Sequence, residues 1–285
     1  MTSAADGDAG FALGPAILFV PGDRPERFAK AAERADAVII DLEDAVAPAD
    51  KERAREALRA SDLDPTRTIV RVNARGTADH ALDVAAVSAT GYRILMLPKA
   101  ERAADAAALA ADLSNPTGCA LVALVETAAG VLAAEELAAE PSVVALMWGA
   151  EDLVASLGGT SSRGPDGRYR DVARHARARV LLAAGGRGTA AIDAVHLDIA
   201  DLGGLEEEAR DAVAQGFAAT ACIHPGQVET IRAAYRPSAE EVDWARGVLE
   251  AASAAGASGV FAHEGRMVDE PVLRHARRVL QRAGE

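Results

Sequence analysis

The chain has 285 residues, half of them hydrophobic but only 4% aromatic, so its core must be built from Ala, Val, Leu and Ile, and bulk disorder is excluded. Thirty Lys and Arg against 43 Asp and Glu leave a net charge of −13, with Lys30, Lys51 and Lys99 the sole lysines. An acidic surplus without a basic stripe excludes the phosphate-neutralising surface that a nucleic acid or an anionic membrane requires.

Residues 1–13, rich in Ala, Gly and Asp, read as a flexible tail, without the basic and apolar regions of a signal peptide. The first apolar run, 16–20, ends in Pro21-Gly22-Asp23-Arg24 and leads into a helix near 24–35. There Asp23 and Glu26 have capping-box spacing, and Pro25 suits the first turn. The second run, 37–42, carries Asp41-Leu42-Glu43-Asp44 at its end and precedes a helix at 49–60; the third, 68–73, holds Arg71 and Asn73 before a helix at 78–89. The fourth, 92–97, ends in Pro98-Lys99 ahead of a helix at 101–113, and the fifth, 120–126, ends in Glu126 ahead of one at 128–139. The sixth, 143–148, is followed by Gly149-Ala150-Glu151-Asp152 and a helix at 171–184. The seventh, 193–197, contains His196 with Asp198 behind it and precedes 204–215; the eighth, 219–223, ends in His224-Pro225 before 226–234.

Strands alternating with helices imply parallel pairing, and eight such units with no dinucleotide-binding glycine fingerprint after the first predict a closed (β/α)₈ barrel over 14–255. Residues 256–285 are a helical extension to the barrel: Gly256, Gly259 and Gly265 mark a hinge over 256–265, and a last helix follows near 271–282. Cys119 and Cys222 sit in apolar runs outside any CxxC, which fits a reducing compartment and no structural zinc. No apolar stretch reaches the ~18–20 residues of a membrane span, and the expected location is the cytoplasm.

Polar residues accumulate at the carboxyl ends of the strands, the face from which barrels of this type do chemistry. Glu126 and Asp152, on neighbouring strand ends, are hard oxygen ligands suited to Mg²⁺, although each equally suits a helix N-terminus. Arg71 points to a substrate carboxylate, onto which a guanidinium forks, or to a salt bridge with Glu43 or Asp44. Arg24 and Lys30, around the first helix, suit either an anionic phosphate ligand or solvent.

Leu18-Phe19-Val20-Pro21-Gly22-Asp23-Arg24-Pro25-Glu26-Arg27, Val38-Ile39-Ile40-Asp41-Leu42-Glu43-Asp44, Arg71-Val72-Asn73, Met96-Leu97-Pro98-Lys99, Val125-Glu126-Thr127, Trp148-Gly149-Ala150-Glu151-Asp152-Leu153, Cys222-Ile223-His224-Pro225 and Gly265-Arg266-Met267-Val268-Asp269 follow one another from about residue 14 to 280. In that order they resemble the citrate lyase β-subunit-like branch of the HpcH/HpaI aldolases, with malyl-CoA and citramalyl-CoA lyases as relatives. The resemblance implies a (β/α)₈ barrel, Mg²⁺ on Glu126 and Asp152, and a CoA thioester as substrate or product. It makes Arg71 the clamp on the keto- or hydroxyacid, Phe19, Arg24 and Lys30 CoA contacts, and Glu43 and Asp44 supports that hold waters or orient Arg71. Asp269 becomes a catalytic acid/base, delivered by the lid of a neighbour in a homotrimer or hexamer. Taken by itself, Asp269 directly before a helix start equally suits an N-cap. One departure from the pattern is Pro15-Ala16, where many members have Arg-Ser.

The reaction so implied is cleavage of a 3-hydroxyacyl-CoA to an acyl-CoA and a 2-oxoacid, or the reverse condensation in the manner of a malate synthase. Water attacking the thioester would make the same site a thioesterase. A non-catalytic CoA-binding barrel and a subunit of a larger lyase complex are the readings of another class.

Overall fold

The computed structural model describes residues 13–113, 118–254 and 259–284, so residues 1–12 of the expected tail and Gly256 fall outside the described residues, while Leu13, expected to end the tail, is buried in the barrel core. Two compact units divide between Ile231 and Arg232. The first is the expected barrel: β1 (Ala16–Pro21), β2 (Ala37–Asp41), β3 (Thr68–Arg71), β4 (Ile94–Leu97), β5 (Ala120–Val125), β6 (Val143–Trp148), β7 (Ala190–Asp193) and β8 (Ala219–Cys222) pair in parallel and in order, with β8 closing on β1. Helices α1 (Phe28–Arg34), α2 (Lys51–Ala60), α3 (Ala78–Ser88), α4 (Ala103–Asp112), α5 (Ala128–Leu132), α6 (Ala134–Ala138), α7 (Ala150–Ser156), α8 (Asp171–Gly185) and α9 (Leu202–Gln215) connect them.

Alternation along the strands sorts inward from outward side chains. Ile17, Ala37, Ile39, Ile69, Met96, Val122, Leu124, Ala145, Met147, Ile192, Ala219 and Ala221 form one buried cluster, with Phe19 and Ile94 packed against it. Continuing the same parity by one more step puts Asp41, Arg71 and Glu126 on the inner face at the carboxyl end, one layer above the apolar filling. The small and branched residues that replace aromatics in this sequence are what fill so narrow an interior.

Three sequence expectations are corrected. The first helix begins as a 3-10 turn, Pro25–Arg27, with no side-chain cap, because the Asp23 carboxylate turns to Arg53 (2.8 Å) instead. Strand seven lies at Ala190–Asp193 rather than 193–197, which leaves His196 and Asp198 in the loop beyond it. The strand stops at Asp193 because that buried carboxylate faces outward, accepting from Trp148 Nε1 (2.6 Å) and from Arg177 Nη2 (2.7 Å) of α8. After β6 the chain forms the extra helix α7 and an irregular stretch before α8, where the sequence reading had a single helix.

The second unit starts within α10 (Val228–Tyr235) and contains α11 (Ala239–Ala254), the hairpin β9 (Phe261–His263) and β10 (Arg266–Val268), and α12 (Glu270–Ala283). Ala245, Val248, Ala252, Val268, Leu273, Ala276 and Val279 make its core, so α11, assigned from sequence to the barrel domain, packs with the last helix. Glu264 and Gly265, both at positive φ, form the two-residue hairpin turn in what had read as a hinge. Among the described residues no helix is long and apolar enough to cross a membrane.

Candidate active site

Glu126 follows β5 directly, is 3% exposed, and its Oε1 accepts the backbone N–H of Lys99 at 3.0 Å. Beside it, Gly149 leaves room that no other residue would, since a Cβ there would lie 2.9 Å from Glu126 Cβ and 3.0 Å from Oε2. Asp152 sits half-buried in the first turn of α7. Burial, reinforced by the charges of Asp152 and Glu43, pushes the Glu126 carboxyl up to about 8. A buried carboxylate opposed by two others is a place where a cation relieves both the burial and the repulsion. Two acids, with no group of three metal-binding side chains among the described residues, match Mg²⁺, which keeps waters and takes substrate oxygens for its other positions. The residues present therefore fit that ion.

Arg71, at the end of β3, is largely buried and donates to both oxygens of Asp41, from Nε at 2.7 Å and from Nη2 at 2.5 Å. Its Cζ lies 5.1 Å from the centre of the Phe19 ring, and Glu43 Oε2 is 3.1 Å from Nη1 but not aligned as a hydrogen-bond acceptor. Burial works against the guanidinium charge, and Asp41, Glu43 and Glu126 outweigh it, so the group stays ionised. For Glu43 the balance goes the other way: burial raises its carboxyl above the ordinary range although Arg71 and Lys99 pull it down.

Lys99 adopts φ +48°, in the left-handed region that a non-glycine residue seldom occupies, immediately after β4. That turn aims its amide at Glu126 while Nζ reaches Glu43 Oε1 at 2.5 Å and Asp44 Oδ2 at 3.3 Å. Beneath them Lys51, buried, spends all three ammonium protons on Leu42 O (2.7 Å), Glu43 O (2.7 Å) and Asn73 Oδ1 (2.8 Å), which pins the turn that carries Glu43.

The structure thus gathers Phe19, Arg71, Glu43, Glu126 and Asp152, with Asp44 at the rim on Lys99. Arg24 and Lys30 are exposed, Arg24 lying 3.6 Å from Asp23. In the second unit Asp269 caps α12, accepting Val272 N–H at 3.4 Å. Asp41, Lys99 and Lys51 were not assigned to the site from sequence. Asp41 faces Arg71 through the β2–β3 register, which only the placed strands reveal, and the backbone turn at Lys99 has no compositional signature.

The HpcH/HpaI aldolase/citrate lyase family model matches residues 16–225, about three quarters of the chain's length, across all eight barrel strands. The chain belongs to that family. A second family model, a carbon–carbon bond lyase of the TIM-barrel fold, matches residues 169–284. As a member of this family the protein is a carbon–carbon lyase. A citrate lyase subunit beta-like protein of Mycobacterium tuberculosis is 58% identical over 96% of this chain and 97% of its own length. The human mitochondrial citramalyl-CoA lyase is 32% identical, over 92% of this chain and 83% of its own. A crystal structure of the protein CitE from M. tuberculosis in complex with magnesium, acetoacetate and coenzyme A superposes with a TM-score of 0.89 at 58% identity, covering 96% of this chain and 99% of that one.

Proposed function

We propose that the barrel mouth cleaves a 3-hydroxyacyl-CoA of the malyl-, citramalyl- or citryl-CoA type into an acyl-CoA and a 2-oxoacid, or joins them in reverse, with Mg²⁺ held by Glu126 and Asp152. The observation that carries this reading is the buried Glu126 carboxyl, opposed by two further acids and set within the same strand-end layer as a buried arginine. A magnesium- and CoA-bound relative of the same fold supports it.

Bound between those acids, Mg²⁺ supplies Lewis acidity toward the oxoacid's oxygens. Arg71 holds the carboxylate by a planar fork and balances negative charge as the carbon–carbon bond breaks. Glu126 is itself held by the Lys99 amide, and Glu43 by the Lys99 ammonium and the Lys51-pinned turn, so none of them must reorganise during the reaction. In cleavage the hydroxyl proton leaves to a base, the bond electrons pass to the thioester carbonyl as an enolate, and Asp269 returns a proton to the α-carbon; condensation runs the same transfers backwards. Phe19, Arg24 and Lys30 contact the CoA, and Asp269 comes from the C-terminal segment of a neighbouring subunit in a homotrimer or hexamer.

The test is a mass-spectrometric screen of the purified protein with Mg²⁺, acetyl- or propionyl-CoA and a panel of 2-oxoacids, alongside the corresponding hydroxyacyl-CoA esters. Formation or cleavage of a carbon–carbon bond that disappears in Glu126→Gln is the expected result. Release of free CoA with the carbon skeleton intact would assign a thioesterase instead, and no turnover of any acyl-CoA would leave a binding subunit.

A further inference from the structure

We propose that Asp41 is a positioning residue, holding the Arg71 guanidinium so that one fixed edge of it receives the carboxylate of the 2-oxoacid. This rests on the reading of Arg71 as the oxoacid clamp. Asp41 is the last residue of β2 and the register partner of Arg71 on β3, with a side chain 1% exposed. Each of its oxygens takes two donors. Oδ1 accepts Arg71 Nε (2.7 Å) and the Glu43 N–H (2.8 Å), while Oδ2 accepts Arg71 Nη2 (2.5 Å) and the Ala45 N–H (3.1 Å).

Two parallel bonds between planar groups fix the guanidinium in rotation and in tilt, and the Phe19 ring lies against it. Asp41 occupies the Nε/Nη2 side. Among the described residues the three remaining N–H donors, two on Nη1 and one on Nη2, have no hydrogen-bond acceptor, since the nearby Glu43 oxygen is unaligned. One donor on Nη1 and one on Nη2 lie side by side at the end of the guanidinium, where an incoming carboxylate can make a second two-point contact. Without Asp41, a four-torsion side chain would have to be ordered anew at each binding event. Because the same carboxylate accepts the N–H groups of Glu43 and Ala45, it also ties the clamp to the turn carrying Glu43.

Asparagine cannot replace Asp41 in either orientation, because its NH₂ would face an arginine donor and a backbone donor at once. Pyruvate and CoA are the probes, titrated calorimetrically with Mg²⁺ present into wild type, Asp41→Asn, Asp41→Glu, Arg71→Lys and the Asp41→Asn/Arg71→Lys pair. Asp41→Asn should weaken pyruvate about tenfold or more with CoA affinity within about twofold of wild type. In the Arg71→Lys background the further loss from Asp41→Asn should fall below about twofold, as expected of residues acting as one unit. Asp41→Glu keeps the charge but moves the carboxylate out by one methylene, and should lose pyruvate affinity severalfold; it serves alone should Asp41→Asn not fold. Unchanged pyruvate affinity in the Asp41 variants while Arg71→Lys loses it would overturn the positioning role and leave the clamp standing. Unchanged pyruvate affinity in Arg71→Lys would overturn the clamp itself. Equal losses of pyruvate and CoA would show a general structural role and would overturn the proposal too.

Discussion

Glu126 concentrates the conflict that makes this site chemical: a carboxylate in a dry place beside two others. Its folded-state carboxyl, pushed up to about 8, lies above the ordinary value that it regains on unfolding, so ionising it costs folding free energy. That cost is absent below about pH 4.5, grows through the interval to pH 8, and is complete above it. In the metal-free protein Glu126→Gln should therefore melt higher than wild type, by a margin that widens from pH 5 to pH 8 at up to about 1.4 kcal/mol per unit. Adding Mg²⁺ should raise the wild-type midpoint and leave that of Glu126→Gln nearly unmoved. Calorimetric scans at four pH values decide the matter, and a margin independent of pH would be inconsistent with the buried acid described here. At this scale Glu126 and Arg71 were legible as candidates because a charged residue closing an apolar run stands out, and Glu43 and Asp152 because they follow such runs within four residues. Asp41 was not, since the Asp-Leu-Glu-Asp stretch offers three acids whose inward or outward direction depends on a parity known only once the strand is placed.

Strands and their ends set where these groups can stand. The β5–β6 register brings Val125 opposite Trp148, so the residues just beyond, Glu126 and Gly149, meet at the mouth. Replacing Gly149 by Ala introduces a Cβ 2.9 Å from Glu126 Cβ, closer than packed atoms approach, while its backbone (φ −125°) accommodates any residue. Gly149→Ala should consequently keep the fold but displace the carboxylate, lowering Mg²⁺ affinity on the order of tenfold or more. Titration of Mg²⁺ into the two proteins checks this; equal affinities would mean that the Glu126 position is not critical. Sequence placed both ends of β6 (Val143–Trp148) correctly, where Gly149 follows the apolar run, but carried 37–42 and 68–73 one and two residues past the inward-facing Asp41 and Arg71. Strand seven was misplaced because Asp193 ends the strand instead of opening it: its outward carboxylate is matched by Trp148 and Arg177, partners far away in sequence.

At the scale of the whole molecule, eight apolar runs each trailed by a helical stretch made the barrel readable, since that count without a dinucleotide-binding fingerprint favours closure over an open doubly wound sheet. The C-terminal unit was less so: its hairpin is three residues a side, and the glycine that read as a hinge is the second residue of a tight turn. Asp269 does cap α12, and the proposed proton transfer can be separated from that duty. Asn caps a helix about as well as Asp, so Asp269→Asn should melt within about 2 °C of wild type yet lose activity. When inactive Asp269→Asn and inactive Glu126→Gln subunits are mixed in equal amounts, about a quarter of sites should pair an intact metal site with an intact neighbouring lid, and activity should return toward that fraction. Verified mixed oligomers without recovery would reject a shared site.

The central claim is that Glu126, Asp152 and Arg71 form one oxoacid and metal site, and a crystal structure of the protein grown with Mn²⁺ and pyruvate tests it most directly. The account predicts a single anomalous peak within about 2.3 Å of one carboxylate oxygen from Glu126 and one from Asp152, with the pyruvate carboxylate on the Nη1 edge of Arg71. A metal bound elsewhere, or pyruvate held without Arg71, would contradict it.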